Sequence, residues 1–313
     1  MPLLRITVHD DQPLCHDGEM PVAALLSHAH RVAAPGPVVI MVHGYRYAPG
    51  RPGRCPHALV QSLSPPPDRP RAISWPRHLG FGRAGTDAGI AISLGWSADG
   101  PIWRAWTTAE AAGRALTCLL KDLRHFAPGR DVHVFAHSMG ARVALAALRQ
   151  AAPGDVRTAI LMAPAEFSTA AGAALDAPAG RAAGVLHVSS RENAVFDRVL
   201  ELLIRPPRGG GGAMGRQPLE RANLAHLRLD HPPSLAALRR AGYPVAAPDR
   251  RICHWSPYLR AGVFPLYRAL QSGTLDIARL RALLTKEPAP PHLLSFAPKP
   301  AHWPARNPQR ARA

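Results

Sequence analysis

A serine lies between a strand-like run and a helix-like run of the chain, in the segment HVFAHSMGARVA at residues 133–144. Because almost no loop separates the two runs, Ser138 must occupy a strained turn that projects its hydroxyl above the sheet. The neighbours two positions away must be small, and they are Ala136 and Gly140. A hydroxyl presented in this way suits nucleophilic attack on a carbonyl. The plainer interpretation is a serine that caps an ordinary helix.

A second motif, VVIMVHGYRYAPG at residues 38–50, precedes Ser138 by about 95 residues. It is a continuous apolar, β-branched run, typical of a buried strand, that ends in His43 and Gly44. With the serine turn following in this order, the chain resembles the alpha/beta-hydrolase superfamily. The resemblance implies that the backbone N–H groups of Tyr45 and Met139 form an oxyanion hole. One such donor is worth about 3 kcal/mol in the transition state.

The segment LGWSADG at residues 94–100 is followed by a long helical pattern that leads to AHSMG. In this order the segments resemble a bacterial branch of largely uncharacterised serine hydrolases, and the resemblance extends from Val38 to about Tyr267. It implies an α/β fold with a doubly wound, mostly parallel sheet and loop excursions over the active site.

The acid of a Ser–His–acid triad is expected, from the same resemblance, just beyond the strand at residues 184–189. Glu192 is the carboxylate nearest this place, and Asp197 lies about one helical turn further on. We favour Glu192 by position and keep Asp197 open. Either residue could instead be an acid that stabilises a helix N-terminus.

The histidine must come last in the chain order serine, acid, histidine. His254 lies in RRICHWSPYLR, which resembles the histidine loop of that branch. His231, ahead of two prolines, is the alternative and is more typical of a helix cap. We therefore expect His254 to be the general base.

Aromatic and histidine side chains near these motifs are expected to line the substrate pocket. The segment from residue 75 to residue 89 is interpreted as a mobile loop over the active site. The pocket candidates are His43, Gly44, Trp75, His78, Phe81 and His137.

No cofactor or metal is expected. The glycine pattern at residues 80–85 precedes a loop and a strand, and therefore lacks the helix N-terminus that a dinucleotide pyrophosphate needs. The neighbours Cys15–His16 and Cys253–His254 lack the spacing of zinc ligands.

The order of elements alternates between strands and helices, which is typical of a parallel sheet covered on both faces. One domain is predicted over residues 1–287, with a mobile glycine-rich loop near residues 206–216. Residues 288–313 are proline-rich and basic, and we interpret them as an irregular tail. The predicted strands cover residues 37–42, 88–96, 131–136, 159–163, 184–189 and 223–229, and the clearest helices residues 102–126 and 139–150.

Composition restricts the class of protein. Hydrophobic residues make up 47% of the 313 residues and charged residues 19%, so a large core is possible. The net charge is +17, but only three of the 38 basic residues are lysines and the arginines are scattered, which argues against nucleic-acid binding. No apolar run reaches the ~18 residues of a membrane span. The four cysteines follow no disulfide pattern and the N-terminus does not resemble a signal peptide, so a cytoplasmic protein of undetermined oligomeric state is expected.

These features predict a serine hydrolase, esterase-like, that cleaves a small-molecule ester or similar acyl compound through an acyl-enzyme intermediate. Thioesters, lactones and amides need the same groups, so the substrate stays open. One alternative is a non-catalytic binding scaffold with the same fold. Another is a cofactor-free enzyme of this fold with lyase or haloperoxidase-like chemistry.

Overall fold

A computed structural model describes residues 3–82, 89–206 and 210–285. These residues form an eight-stranded sheet in the order β2-β1-β4-β3-β5-β6-β7-β8. The strands are β1 (Leu3–His9), β2 (Gln12–Cys15), β3 (Val38–Val42), β4 (Ile90–Gly95), β5 (Val132–His137), β6 (Thr158–Met162), β7 (Gly184–Ser189) and β8 (Leu224–Arg228). Only β2, at one edge, is antiparallel to its neighbour among these strands.

Helices cover both faces of the sheet. They are α1 (Val22–Val32), α2 (Trp75–His78), α3 (Ile102–Phe126), α4 (Met139–Leu148), α5 (Ser168–Asp176), α6 (Pro178–Ala182), α7 (Ala194–Leu203), α8 (Pro232–Arg240), α9 (Ser256–Leu259), α10 (Val263–Gln271) and α11 (Ile277–Thr285). Of these helices, none is long and apolar enough to cross a membrane.

The side chains of the central strands divide between two cores because successive residues of a strand face opposite sides of the sheet. In β3, Val38, Ile40 and Val42 contribute to one core, together with α1, α3, α4, α5 and α6. Val39 and Met41 contribute to the other, with α2 and the helices from α8 to α11. The doubly wound, mostly parallel α/β fold predicted from the sequence is confirmed.

The second half of the glycine-rich segment is packed, in contrast to the mobile loop that its composition predicts. Ala213 and Met214 are fully buried. Ala213 N donates to Glu201 Oε1 at 2.9 Å, and Met214 N donates to Glu166 O at 2.9 Å. Because Gly211 and Gly212 have no side chains, this segment can approach α5 and α7 closely. Residues 207–209 and the tail at 288–313 lie outside the described residues.

Candidate active site

Ser138 lies where β5 ends and α4 begins, at the carboxyl edge of the parallel sheet. Its φ of 57° and ψ of −124° are strained for a residue with a Cβ. Three backbone hydrogen bonds maintain this conformation: Ser138 N donates to Met162 O at 2.9 Å, and Ser138 O accepts from Ala141 N and Ala165 N. The surrounding strands and helix therefore impose the turn that the sequence predicts.

Two glycines allow backbone to pass directly beside the serine. A Cβ on Gly44 would lie 2.7 Å from Ser138 Cβ, and a Cβ on Gly140 would lie 2.4 Å from Val42 O. Both distances are too short for real carbon contacts. The end of β3 is thus in contact with the turn between β5 and α4, and the chain after Gly44 lies beside Ser138.

The two expected oxyanion donors are backbone N–H groups of this region. Tyr45 follows Gly44 directly, and its hydroxyl donates to Gly100 O at 2.5 Å. The next residue, Arg46, donates its N–H to Ala98 O at 2.8 Å, which anchors the same loop to the β4–α3 connection. Within the described residues, the N–H groups of Tyr45 and Met139 donate to no protein acceptor. Both remain available to a ligand oxygen.

The loop that carries His254 packs against the end of β5. His137 Nε2 donates to His254 O at 2.9 Å, and the centroids of the two rings are 4.6 Å apart. Phe196, in the first turn of α7, stacks on the His254 ring at 4.6 Å. The structure therefore brings His254 next to the strand end that carries Ser138. Among the described residues, Ser138 Oγ forms no hydrogen bond.

The side chain next to His254 Nδ1 is Asn193, with Asn193 Oδ1 at 2.5 Å. Asn193 Nδ2 donates to Asp197 Oδ1 at 2.9 Å, which leaves Asn193 Oδ1 as the acceptor facing the histidine. His254 Nδ1 must then carry a proton. Burial lowers the pKa of His254 well below 6.5, and nearby His137 lowers it further. A neutral ring with its proton on Nδ1 leaves the Nε2 lone pair free to act as a base.

Within the described residues, the carboxylate of Glu192, favoured from the sequence, forms no hydrogen bond with His254. Its Oε2 accepts from Ser190 Oγ at 2.9 Å and pairs with Arg260, and both members of this pair are buried. Its backbone oxygen accepts from Cys253 N at 2.9 Å. Residues Arg191–Asn193 form a short 3₁₀ turn, and this turn directs the side chain of Asn193, not that of Glu192, to the histidine. Glu192 instead anchors the loop that carries His254, through its backbone bond to Cys253 and its ion pair with Arg260.

Replacing Glu192 by glutamine is expected to lower stability more directly than catalysis. The change leaves the buried Arg260 guanidinium without a counter-charge, and breaking such a pair costs about 3 kcal/mol. Thermal unfolding of the variant measures this effect. The exposed Asp176–Arg221 pair provides the matched control, because Asp176→Asn should leave the unfolding temperature almost unchanged. Equal small shifts in both variants would contradict the structural role of Glu192.

Asp197, the other carboxylate candidate, lies behind Asn193 and not against the histidine. It is buried, and a Cβ on Gly215 would lie 2.4 Å from its Oδ2, so the glycine-rich segment packs directly on the carboxyl group. Burial raises the pKa of Asp197 to about 7, and nearby Glu201 contributes to the rise. Asp197 therefore changes charge near neutral pH, two hydrogen bonds away from His254 Nδ1.

The raised pKa of Asp197 predicts that stability falls as pH rises from about 4 to about 7. In this window the unfolded chain releases the Asp197 proton and the folded chain retains it, so rising pH favours unfolding. The full effect is up to about 4 kcal/mol. Asp197→Asn should be more stable than the wild type at pH 8 and should lose this part of the pH dependence. Chemical unfolding at several pH values measures both, and parallel curves for the two proteins would contradict the assignment.

Of the expected pocket residues, His43, Trp75 and Phe81 are buried in the protein, whereas His78 is exposed. His43 is fully buried, donates from Nδ1 to Gly44 O at 2.9 Å and accepts Trp96 N on Nε2 at 3.0 Å. Burial lowers the pKa of His43 to about 4. Trp75 and Phe81 are core residues, each 1% exposed, so the first part of the expected mobile loop is packed. His78 is exposed and contacts Phe264.

His137 and Gly44 are the two pocket candidates nearest Ser138. Burial lowers the pKa of His137 to about 4, and the neutral ring donates a hydrogen bond to the backbone oxygen of His254.

The alternative histidine, His231, directly precedes α8, and its Nδ1 lies 2.8 Å from Ser234 Oγ. The remainder of the expected loop, residues 83–88, lies outside the described residues.

Two residues that support α4 were not predicted from the sequence. Arg142, one turn after Ser138, contacts the buried Glu166 at 2.5 Å and lies over the Trp106 ring at 3.8 Å. Burial raises the pKa of Glu166, and Arg142 opposes this rise. An arginine on an otherwise apolar, buried helix was the available signal, because such a charge needs a partner.

A cavity of about 1120 Å³ lies elsewhere, near the amino ends of the strands, where Pro37, Asp131 and Gly184 line it. Ser138 lies at the opposite edge of the sheet. Among the described residues, no cluster of histidine, cysteine and acidic side chains could hold a metal ion.

Comparison with known proteins supports the assignment of the fold. Residues 85–172 match the model of a family described as an alpha/beta hydrolase of unknown function (DUF900). The match spans β4, α3, β5, Ser138, α4 and β6, and it ends before Asn193 and His254. No curated protein matches the chain. This match and the mostly parallel sheet are both consistent with the alpha/beta-hydrolase superfamily.

Proposed function

We propose that the chain is a serine hydrolase that cleaves an ester or a similar acyl compound through an acyl-enzyme intermediate. The observation that carries this proposal is the strained φ of 57° at Ser138, between β5 and α4. Strain of this kind costs about 1–3 kcal/mol and persists at sites where a side chain must be presented in one direction. The match of residues 85–172 to an alpha/beta-hydrolase family supports the broader assignment to a hydrolase.

In the proposed reaction, Ser138 Oγ attacks the carbonyl carbon of the substrate and its proton passes to His254 Nε2. Asn193 Oδ1 keeps the Nδ1 proton of His254 in place and fixes the orientation of the ring. The carbonyl oxygen becomes an oxyanion and accepts hydrogen bonds from the N–H groups of Tyr45 and Met139. His254 then protonates the leaving group as the bond to the carbonyl carbon breaks. A water molecule repeats the sequence and releases the acid.

Asn193 is a positioning residue in this scheme, because it acts through His254. Its amide accepts the Nδ1 proton but carries no charge, so it stabilises the imidazolium form less than a carboxylate would. The ionised form of Asp197, one hydrogen bond further away, supplies part of this stabilisation when it is present. The proposed enzyme therefore uses an asparagine–aspartate pair in the place of one acidic residue.

A fluorophosphonate probe tests the proposal, since it forms a covalent bond only with an activated serine. The wild-type chain should be labelled once, and Ser138→Ala should not be labelled. Ser168→Ala is the matched control, because Ser168 also begins a helix after the sheet and should not affect labelling. Absence of labelling in the wild type would contradict the proposal and favour a non-catalytic binding scaffold. The observation that favours this second function is an asparagine, not a carboxylate, against His254 Nδ1.

A further inference from the structure

Helix α7 exposes a stripe of aliphatic side chains to solvent. Its inner face carries the buried residues Asp197 and Leu200. On the outer face the exposed residues are Val195, Val199, Leu202 and Leu203, of which Leu202 is 82% exposed. Steps of four and three residues place the first three on one side of a helix. Isolated exposed apolar residues are ordinary, but a continuous stripe marks an interaction surface.

Two more exposed apolar residues extend this stripe around the site. Ile252, 58% exposed, precedes His254 by two residues, and the histidine ring stacks on Phe196 of α7. Trp103, 63% exposed, lies in the first turn of α3, whose Ile102 and Trp106 pack in the cluster that contains Leu200 and Ile204. We call this surface the apolar rim: Trp103, Val195, Val199, Leu202, Leu203 and Ile252.

Arginines surround the apolar rim and are not neutralised. They are Arg104, Arg198, Arg205, Arg250 and Arg251. All five are exposed, and within the described residues none of them forms an ion pair. Asp249 is the exposed acid next to them in the chain, while Glu201 of α7 pairs with Arg216. The surface therefore combines aliphatic side chains with a strong excess of positive charge.

This charge favours one occupant over the others. A second copy of the chain would bring arginines against arginines, and the net charge of +17 on each copy would oppose the contact. An acidic protein would satisfy the arginines, but four of the six rim side chains project outward from one helix, α7, and such a protein would have to offer them a complementary apolar surface. A surface of exposed aliphatic side chains flanked by unpaired arginines fits the boundary between lipid headgroups and acyl chains.

We propose that the apolar rim docks on an anionic lipid surface, with its arginines on the headgroup phosphates and its apolar side chains among the upper acyl carbons. Docking in this orientation places the carboxyl edge of the sheet, which carries Ser138 and His254, next to the lipid. The inference concerns binding and does not depend on hydrolysis.

Co-sedimentation of the full chain with lipid vesicles tests this inference. We expect binding to vesicles of equal parts phosphatidylglycerol and phosphatidylcholine, and little binding to phosphatidylcholine alone. The double variant Val199→Ser/Leu202→Ser should bind at least about tenfold more weakly, because it removes apolar groups that would enter the acyl region. Arg198→Gln and Arg205→Gln should each weaken binding about fivefold.

The matched control is Leu14→Ser/Val32→Ser, which removes two aliphatic side chains of similar exposure from β2 and α1, near the opposite edge of the sheet. It should bind like the wild type. Equal binding by the Val199→Ser/Leu202→Ser variant and the wild type would overturn the proposal, since net charge alone would then explain the binding. Absence of binding to the anionic vesicles would overturn it as well.

Two further outcomes would assign the surface to another occupant. Self-association that is lost in Val199→Ser/Leu202→Ser, measured by analytical ultracentrifugation, would identify a dimer interface. Binding of soluble polyglutamate with the same dependence on Val199 and Leu202 would identify an acidic protein partner. Ser138→Ala should bind vesicles like the wild type, so that a failure of the proposed hydrolysis and a failure of docking are separate results.

Discussion

Replacing Ser138 by alanine is expected to lower kcat by more than about 10³-fold, the scale observed when a nucleophile is removed. The serine hydroxyl contributes little to the fold, because Ser138 Oγ bonds to none of the described residues. Alanine retains a Cβ at the same strained φ, so the unfolding temperature should stay close to that of the wild type. Hydrolysis of a short-chain ester, measured together with thermal unfolding, separates the two effects. Full activity in Ser138→Ala would contradict the nucleophile assignment.

Ser138→Gly provides a control for the strain itself. Glycine adopts positive φ without a steric cost, so this variant should also be inactive but should gain about 1 kcal/mol in unfolding free energy. A less stable glycine variant would show that the Ser138 side chain supports the fold in another way.

Replacing Asn193 by alanine is expected to lower kcat by about 10²–10⁴-fold, since loss of the group that orients a catalytic histidine has effects of this size. His254 would lose its acceptor on Nδ1, and its ring would no longer be held in the tautomer that leaves Nε2 free. The measurement is the dependence of kcat on pH for a single ester. A purely structural role for Asn193 would lower the amount of folded enzyme without changing the shape of that profile.

The variant Asn193→Asp provides the rescue that this role requires. A carboxylate at this position can accept the His254 Nδ1 proton, and Asp197 can remain protonated and donate to it, because its pKa is already raised to about 7. Activity should therefore stay within about tenfold of the wild type. Glu192→Gln, measured below its unfolding temperature, should retain most of its kcat. Wild-type kcat in Asn193→Ala together with a collapse in Glu192→Gln would return the acid role to Glu192.

The parts of this protein that the sequence alone determined depend on local sterics and periodicity. The apolar run at residues 38–42 and the long helical pattern at 102–126 coincide with β3 and α3. A strand that is buried on both faces is apolar throughout, and a helix that is buried on one face has apolar residues at helical spacing, so both patterns can be recognised in the sequence. The turn at Ser138 could be predicted for the same reason. A strand that enters a helix without a loop needs small residues at 136 and 140, and all of these residues are neighbours in the chain.

Helix α7 and the packing of residues 210–216 could not be predicted in this way. Four successive glycines are typical of a free loop, yet the structure buries Ala213 and Met214 through contacts with Glu201 and Glu166. Those partners lie 12 and 48 residues away from the groups they bind. Nothing within the glycine run itself indicates them.

Only the tertiary structure decided which side chain faces the histidine. Glu192 and Asn193 are adjacent in the chain, and a carboxylate is the better partner for an imidazolium by chemistry alone. The choice depends on Arg260, 68 residues further along, which binds the Glu192 carboxylate and holds it away from His254. A buried guanidinium requires a buried counter-charge, so Glu192 pairs with Arg260 and the neutral Asn193 accepts the hydrogen bond from the histidine. Contacts of this kind join distant segments, and they are settled only when the whole chain has packed.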